Sequence, residues 1–278
     1  MSRAARGQPA RRRPPSRAVP ALLGLLAIVA AACGSGVSGG GAGTVELRIA
    51  AAASLRAAVA RLTDAYSAAH PGTTFVVATD SSAALRTQVE QGAPTDVFLS
   101  ADVRNAQTLA DEGLAVGPPV GFAANAVALV VPAANPAAIV TPVDLGRAGV
   151  RVIAAGANVP ISAYADRVVA ALGALPGYPA GFAASVEANT VSREDNVAAV
   201  LAKVELGEGD AGFVYATDTA GSTTVVTVPI PAVANVRATY AGVVVAASAH
   251  REAAAAFLAW VAGPDGQAVL RPLGFLAP

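Results

Sequence analysis

Hydrophobic and polar positions alternate between two patterns along residues 45–113. Residues 45–52 (VELRIAAA) form a nearly continuous run of branched and small apolar side chains, which is typical of a buried strand. Residues 55–70 instead repeat Leu, Val and Ala at helical spacing, and Pro71 and Gly72 end that pattern. The same order then predicts strands at 73–79 and 96–100 and helices at 84–92 and 101–113. This alternation predicts an α/β protein with a parallel sheet covered by helices.

A second block with the same alternation begins near Gly121. It predicts strands at 126–136, 149–156, 210–218, 223–231 and 238–248, and helices at 161–175, 196–209 and 251–263. Two α/β blocks in one chain enclose a cleft between them, which is a common position for a small-ligand site. Ligands of such sheets lie at the carboxyl ends of strands, where AAAS, TDSS and SAD follow the first three predicted strands.

The N-terminal region has the pattern of an export signal. Six arginines and no acidic residue lie in residues 1–33, and the apolar run 18–33 is too short to favour a membrane-spanning helix. Small residues precede Cys33, the single cysteine, and the Gly- and Ser-rich residues 34–43 follow as a predicted flexible tether. This order resembles a bacterial lipoprotein signal with cleavage before Cys33, whose lipid would hold the protein at the extracytoplasmic face of the cell membrane. The alternative is an ordinary secretory signal, in which Cys33 is an incidental thiol.

The formal charge changes once the export region is set aside. The whole chain has 19 Lys and Arg against 19 Asp and Glu, whereas residues 34–278 have 13 against 19, a net charge of −6. An acidic protein is unsuited to nucleic acid, which binds basic surfaces. An anionic ligand would have to be held by local dipoles, since the overall field would repel it.

Six stretches occur in a fixed order along the chain after the tether. They are AAASL at 51–55, GAPTDVFLSAD at 92–102, NVPISAYA at 158–165, DNVAAVL at 195–201, GFVYATD at 212–218 and GPDGQAVLRPLGF at 263–275. Together they resemble the molybdate-binding proteins of ABC importers, which have the type II periplasmic-binding fold. The resemblance implies two α/β lobes, each a mostly parallel sheet flanked by helices, with the ligand in the inter-lobe cleft. Lobe I would comprise residues 44–122 and 238–278, and lobe II residues 123–237.

The resemblance also implies five ligand-binding positions for a tetrahedral oxyanion. They are the hydroxyls of Ser54, Ser82 and Tyr215 and the backbone N–H groups of Ile161 and Val197. A fully deprotonated oxyanion offers only acceptors, so hydroxyls and N–H groups suit it, and helix starts add the positive end of the dipole. Molybdenum would be bound only as molybdate through these residues, and neither a catalytic residue nor a cofactor is expected.

An ordinary structural role is the alternative for these residues. Ser54 and Ser82 could each cap a helix, and Tyr215 could be a core tyrosine whose hydroxyl lies at the rim. Asp80 stands directly before the turn that holds Ser82, where the family usually has a small or neutral residue. Facing the pocket, its carboxylate would repel a dianion or select a protonated oxyanion. Pointing outward, it would cap the following helix, which is the arrangement we expect.

The function implied by the resemblance is capture of molybdate or tungstate and delivery to an ABC-transporter permease with its ATPase. A monomeric, non-enzymatic, lipid-anchored protein without a nucleic-acid partner is expected. The alternatives are a binding protein for another oxyanion such as sulfate, a serine hydrolase with Ser54 or Ser82 as nucleophile, and a surface lipoprotein with no transport role. A hydrolase needs a base beside the serine, and neither His70 nor His250 lies in a predicted strand-end turn.

Overall fold

The computed structural model describes residues 44–278 of the chain. The predicted signal region 1–33, the lipidation of Cys33 and the tether 34–43 therefore lie outside the described residues. None of the helices within 44–278 combines the length and the apolar character needed to cross a membrane.

Strands and helices alternate through most of the described chain. Its strands are β1 (Val45–Ala52), β2 (Thr73–Asp80), β3 (Val97–Ser100), β4 (Val120–Pro132), β5 (Val152–Ala155), β6 (Thr190–Glu194), β7 (Ala211–Tyr215), β8 (Val225–Val228) and β9 (Arg237–Val244). Its helices are α1 (Arg56–Ala69), α2 (Ser82–Glu90), α3 (Val103–Asp111), α4 (Pro160–Gly173), α5 (Phe182–Ala188), α6 (Val197–Glu205), α7 (Arg251–Ala262) and α8 (Pro264–Leu270). Short 3-10 turns lie at Ala53–Leu55, Pro142–Gly146, Ala216–Thr219 and Arg271–Leu273.

The strands form a continuous hydrogen-bonded order β2-β1-β3-β9-β4-β7-β5-β6, with β8 added to β4. The first half-sheet, β2-β1-β3, is parallel, and so is the second half-sheet, β7-β5-β6. The antiparallel strands β4 and β9 join the two halves, with Asn125 opposite Ala238 and Ala123 opposite Tyr240. The predicted βαβαβα order of the first block and its parallel pairing are confirmed.

The second block departs from the prediction in its connections and its short elements. Strand β4 begins at Val120, six residues before the predicted start at 126, because its first residues pair with β9. The predicted lobe boundaries therefore fall inside β4 and β9, and the assignment of residues to lobes stays a prediction. The sequence pattern did not predict α5, β6 and α8, because they are short, and β6 also has no buried face that would produce an apolar pattern.

A glycine in β7 determines how closely helix α6 packs on the second half-sheet. A Cβ atom at Gly212 would lie 2.9 Å from Cγ1 of Val200 and 3.1 Å from the carbonyl oxygen of Ile153. Only glycine therefore allows α6 to lie this close to β5 and β7 without a shift. Helix α6 also contacts the 3-10 turn 53–55 at the end of β1, and its first residue, Val197, lines a cavity with Ser54.

Candidate functional site

Several chain segments begin a helix around one small cavity between the two half-sheets. The turn 53–55 leads from β1 into α1, and helices α2, α4 and α6 begin close by. The cavity has a volume of about 10 Å³ and is lined by Ala52, Ala53, Ser54, Ser81, Ser82, Ala101, Val159, Pro160, Ile161, Val197 and Tyr215. That volume is about the room needed for one water molecule, so the cavity is small. All five residues predicted from the sequence line it.

The lining of this cavity carries no formally charged side chain. Its side chains are those of alanine, serine, valine, proline, isoleucine and tyrosine. Helix N-termini present unpaired N–H groups and the positive end of the helix dipole, which together favour an anion. The arrangement can attract negative charge without a lysine or an arginine in contact with the ligand.

Neither predicted serine caps a helix in the structure. The turn 53–55 and helix α1 lack a side-chain cap, and Ser54 Oγ instead lies 3.0 Å from the hydroxyl oxygen of Tyr240. Helix α2 is capped by Ser81, whose Oγ accepts from the N–H of Ala84. Ser82 Oγ accepts from the N–H of Ala101 at 3.0 Å. The capping alternative is therefore wrong for both serines. Because Ser82 Oγ is an acceptor in this bond, its own O–H can still donate to a ligand in the cavity.

The two predicted backbone donors lie in the first turns of α4 and α6. Ile161 is the second residue of α4, which begins with Pro160 and has no side-chain cap. Val197 is the first residue of α6, where the Asn196 side chain accepts from the N–H of Ala199 instead. The first N–H groups of a helix have no acceptor within the helix. The N–H groups of Ile161 and Val197 are thus suited to an acceptor in the cavity.

The hydroxyl of Tyr215 is the clearest sign of a missing partner. Its side chain is buried at the end of β7, and its hydroxyl oxygen has no hydrogen-bond partner among the described residues. Burial raises the pKa of Tyr215 well above its ordinary value, so the group stays protonated as a donor. Buried polar groups in native proteins are almost always hydrogen-bonded. An acceptor inside the cavity would satisfy this hydroxyl.

Asp80 points away from the cavity, as expected, but it does not cap the following helix. Its Oδ1 accepts from the N–H of Ser81 at 2.7 Å and from Nδ2 of Asn196 at 3.1 Å. The second bond joins the end of β2 to the start of α6. Asp80 lines an open cleft beside the small cavity, together with Asp195. The inward arrangement, which would have repelled a dianion, is therefore wrong.

Three polar residues behind the cavity, Asn125, Tyr240 and Asp218, were not predicted from the sequence. Nδ2 of Asn125 donates to Oγ1 of Thr217 at 2.8 Å and to the hydroxyl of Tyr240 at 3.4 Å. Asp218 accepts from the N–H of Tyr215 at 2.9 Å, and burial raises its pKa to about 7. One signal was present in the sequence, because Asn125 is a lone polar residue within a strand that is otherwise apolar. Nothing local marks Tyr240 or Asp218.

A larger depression of about 410 Å³ lies at the amino end of β1, whereas the small cavity lies at its carboxyl end. Among its lining residues is buried Asp96, which accepts from the N–H of Arg48 and from the hydroxyl of Ser248. No side chain lining this depression has a buried polar atom without a partner in the described chain. Residues 44–278 also hold no cluster of His, Cys, Asp and Glu that suits a metal ion. The small cavity is therefore the better candidate site.

Comparison with known proteins places the chain among solute-binding proteins. The family model "bacterial extracellular solute-binding protein" matches residues 47–276. The molybdate-binding protein ModA of Mycobacterium tuberculosis is 34% identical over 256 residues, which cover 92% of this chain and 94% of that protein.

Two solved structures have a similar fold. The periplasmic molybdate-binding protein of Azotobacter vinelandii has a TM-score of 0.69 and 21% identity, covering 84% of this chain and 99% of that one. The sulfate-binding protein SubI of Mycobacterium tuberculosis has a TM-score of 0.73 and 20% identity, covering 83% of this chain and 86% of that one. The predicted α/β fold of the periplasmic-binding type is confirmed.

Proposed function

Because this chain belongs to the family of bacterial extracellular solute-binding proteins, we propose that it captures molybdate, and also tungstate, for an ABC importer. A monomer would bind the oxyanion in the small cavity and deliver it to a membrane permease with its ATPase. The 34% identity to a molybdate-binding protein over almost the whole chain supports the choice of ligand. The observation that carries the proposal is the cavity itself, which combines neutral donors, helix N-termini and a Tyr215 hydroxyl that has no partner within residues 44–278.

The choice among oxyanions depends on protons. Molybdate, tungstate and sulfate are fully deprotonated near neutrality and present only acceptors to the donors of Ser54, Ser82, Ile161, Val197 and Tyr215. Hydrogen phosphate carries a proton that needs an acceptor, and leaving that proton unpaired costs roughly 1–3 kcal/mol. Sulfate is the second candidate ligand, since it pairs with the same donors and the cavity of about 10 Å³ is narrow. We expect rigid donors spaced for molybdate to reach the smaller sulfate less well.

Isothermal titration of the purified protein with four oxyanions tests this proposal. At one pH, molybdate and tungstate should bind most tightly, sulfate more weakly and phosphate most weakly. If sulfate binds more tightly than molybdate, the ligand is sulfate and the site made only of hydrogen-bond donors is retained. If phosphate binds more tightly than molybdate, both the proposed ligand and the donor-only site are wrong.

An enzymatic role for the two serines lacks the required base. Within residues 44–278, the hydroxyl of Ser54 is hydrogen-bonded to the Tyr240 hydroxyl, and that of Ser82 to the backbone N–H of Ala101. Neither partner can act as a base that takes the proton of a serine nucleophile at neutral pH. Assays with ester and phosphate-ester substrates should therefore give no turnover. Tight binding of a small anion would also argue against a surface lipoprotein whose pocket is inert.

Membrane anchoring through Cys33 is the remaining part of the proposal. Its support is the order of an arginine-rich stretch, an apolar run, small residues, the single cysteine and a Gly- and Ser-rich tether. Cys33→Ser should move the protein from the membrane fraction to the soluble fraction, which immunoblotting of fractionated cells would measure. An unchanged distribution would show that Cys33 is not an anchor.

A further inference from the structure

A chain of hydrogen bonds leads from strand β4 to the cavity. The Oδ1 atom of Asn125 accepts from the N–H of Ala126 at 3.0 Å, which determines the orientation of the Asn125 amide. Its Nδ2 atom therefore faces Thr217 and the hydroxyl of Tyr240, at 2.8 Å and 3.4 Å. The Tyr240 hydroxyl oxygen in turn lies 3.0 Å from Oγ of Ser54, which lines the cavity.

The chemistry of these groups determines the direction of the protons. An amide nitrogen can only donate, so the Tyr240 oxygen is the acceptor in its contact with Asn125. The Tyr240 side chain is fully buried, and its other hydrogen-bond partner in the described chain is Ser54. Its proton must go to Ser54 Oγ, because a buried O–H without an acceptor carries a full desolvation penalty. The proton of Ser54 is then left to point into the cavity.

We propose that Asn125 and Tyr240 are positioning residues that make the Ser54 hydroxyl a donor toward the bound ligand. A serine hydroxyl is otherwise free to donate or to accept, so its rotation alone would not distinguish a bare oxyanion from a protonated one. With the proton of Tyr240 occupying one lone pair of Ser54, the site prefers a fully deprotonated oxyanion. This inference rests on the proposed function, because it requires Ser54 to contact the ligand.

The positions of these residues in the sheet explain why the arrangement is rigid. Asn125 lies on β4 and Tyr240 on β9, the two strands that pair with each other and join the half-sheets. The Tyr240 ring also packs edge-on against the rings of Phe122, Tyr215 and Phe275. Loss of the Tyr240 hydroxyl alone should therefore leave the position of the ring unchanged.

A double-mutant cycle separates positioning through Ser54 from a purely structural role. The variants are Tyr240→Phe, Ser54→Ala and the two combined, with Tyr66→Phe as the matched control at a buried tyrosine on α1 outside the cavity. Titrations measure the Kd for sodium molybdate and for inorganic phosphate, and melting curves measure the Tm of each variant. Asn125→Leu, which removes the amide but keeps the branched shape of the side chain, is the second variant if Tyr240→Phe does not fold.

We expect Tyr240→Phe to weaken molybdate binding roughly 3- to 10-fold without weakening phosphate binding, so that the ratio of the two affinities falls by the same factor. In the Ser54→Ala background the same substitution should change molybdate affinity less than about twofold. Tyr66→Phe should leave both affinities unchanged. Equal weakening of both anions, or an effect of Tyr240→Phe that persists without the Ser54 hydroxyl, would overturn the inference.

The parent protein shows which of the two ideas has failed. If it binds neither molybdate nor sulfate, the proposed function is wrong and the positioning role is wrong with it. If the parent binds molybdate and Tyr240→Phe or Asn125→Leu keeps the parental ratio of affinities, only the positioning role is wrong.

Discussion

The two sides of the cavity supply their donors in different ways. Next to the first half-sheet, the candidate donors are the side-chain hydroxyls of Ser54 and Ser82, each held by a group elsewhere in the chain. Next to the second half-sheet, they are the N–H groups of Ile161 and Val197, held by the helices that contain them. Tyr215 adds a hydroxyl on the second side. The first side therefore depends on residue identity, whereas the second depends mainly on where two helices begin and on one side chain, Tyr215.

This difference decides how each side can be altered. A hydroxyl donor is removed by changing serine to alanine, whereas a backbone N–H survives every substitution except proline. The two serine hydroxyls are also oriented by hydrogen bonds to residues distant in sequence. Substitutions at Tyr240 or near Ala101 should therefore change the orientation of these hydroxyls without removing them. The following predictions test whether the two sides contribute to anion binding as the contacts suggest.

Removal of both serine hydroxyls should have the largest effect. Ser54→Ala and Ser82→Ala should each cost roughly 1.5–3 kcal/mol of molybdate affinity, because each removes a donor to a charged acceptor. Their combination should cost roughly 3–6 kcal/mol if the effects add. Titration calorimetry measures both. The neighbouring Ser81→Ala is the control, since loss of the α2 cap should lower stability by about 1 kcal/mol and change affinity little. Equal losses of affinity for Ser81→Ala and Ser82→Ala would contradict the prediction.

The second side is tested by Val197→Pro, which removes one backbone donor without breaking the helix. Val197 is the first residue of α6, a position that accepts proline, and Asn196 before it is already extended, with φ −156° and ψ 167°. Molybdate affinity should fall by roughly 1.5–3 kcal/mol. Val197→Ala shortens the side chain but keeps the N–H, so it should bind nearly as the parent does. Similar affinities for the proline and alanine variants would remove Val197 from the site.

Tyr215→Phe distinguishes a ligand-binding hydroxyl from a core tyrosine. Molybdate binding should weaken by roughly 1.5 kcal/mol or more, because a donor to a charged acceptor is lost. The Tm of the ligand-free protein should stay the same or rise, since the change removes a buried hydroxyl without a partner in residues 44–278. A lower Tm with unchanged affinity would instead indicate a structural role for the hydroxyl.

Asp80→Ala should have a smaller effect, because it removes one contact between the two sides, from Asn196, and one local bond, from the N–H of Ser81. A hydrogen bond of this kind contributes about 0.5–1.5 kcal/mol net, so molybdate should dissociate roughly 2- to 10-fold faster. Stopped-flow chase experiments measure that rate. Asp80→Asn retains a carbonyl oxygen that can accept from Asn196 and should lie closer to the parent. Unchanged dissociation in Asp80→Ala would show that the contact does not keep the sides together.

The last effect expected is one on stability rather than on affinity, a pH dependence that arises behind Tyr215. Burial raises the pKa of Asp218 to about 7, so the folded protein retains a proton that the unfolded chain has released above about pH 4. The contribution of Asp218 to stability is therefore present below about pH 4 and lost as pH rises to about 7. The Tm of the parent should fall across this range relative to that of Asp218→Asn. Parallel pH profiles for the two proteins would contradict the raised pKa.

The order of elements was predictable because its signals are local, and the cavity residues were predictable because stretches of the sequence resemble a known family. A continuous apolar run, a change to helical spacing and a Pro-Gly stop are each set within a few residues, and they located β1, α1, β2, α2 and β3. The resemblance named Ser54, Ser82, Ile161, Val197 and Tyr215, and the structure places all five around one cavity. Whether these residues bind the ligand stays a prediction for the titrations to test.

The roles of adjacent residues were decided only by tertiary structure. Ser81 and Ser82 are identical neighbours, yet one caps α2 and the other accepts from Ala101, 19 residues later in the chain. Asp80 turns outward because Asn196, 116 residues away, lies within hydrogen-bond distance.

Ser54 meets Tyr240, 186 residues away, because β9 returns to pair with β4 between the half-sheets. A hydrogen bond requires its two atoms to come within about 3 Å in a suitable direction. For residues so far apart in sequence, strand pairing and helix packing set that geometry. The sequence determined which donors were available, and the packing of the half-sheets decided where each donor points.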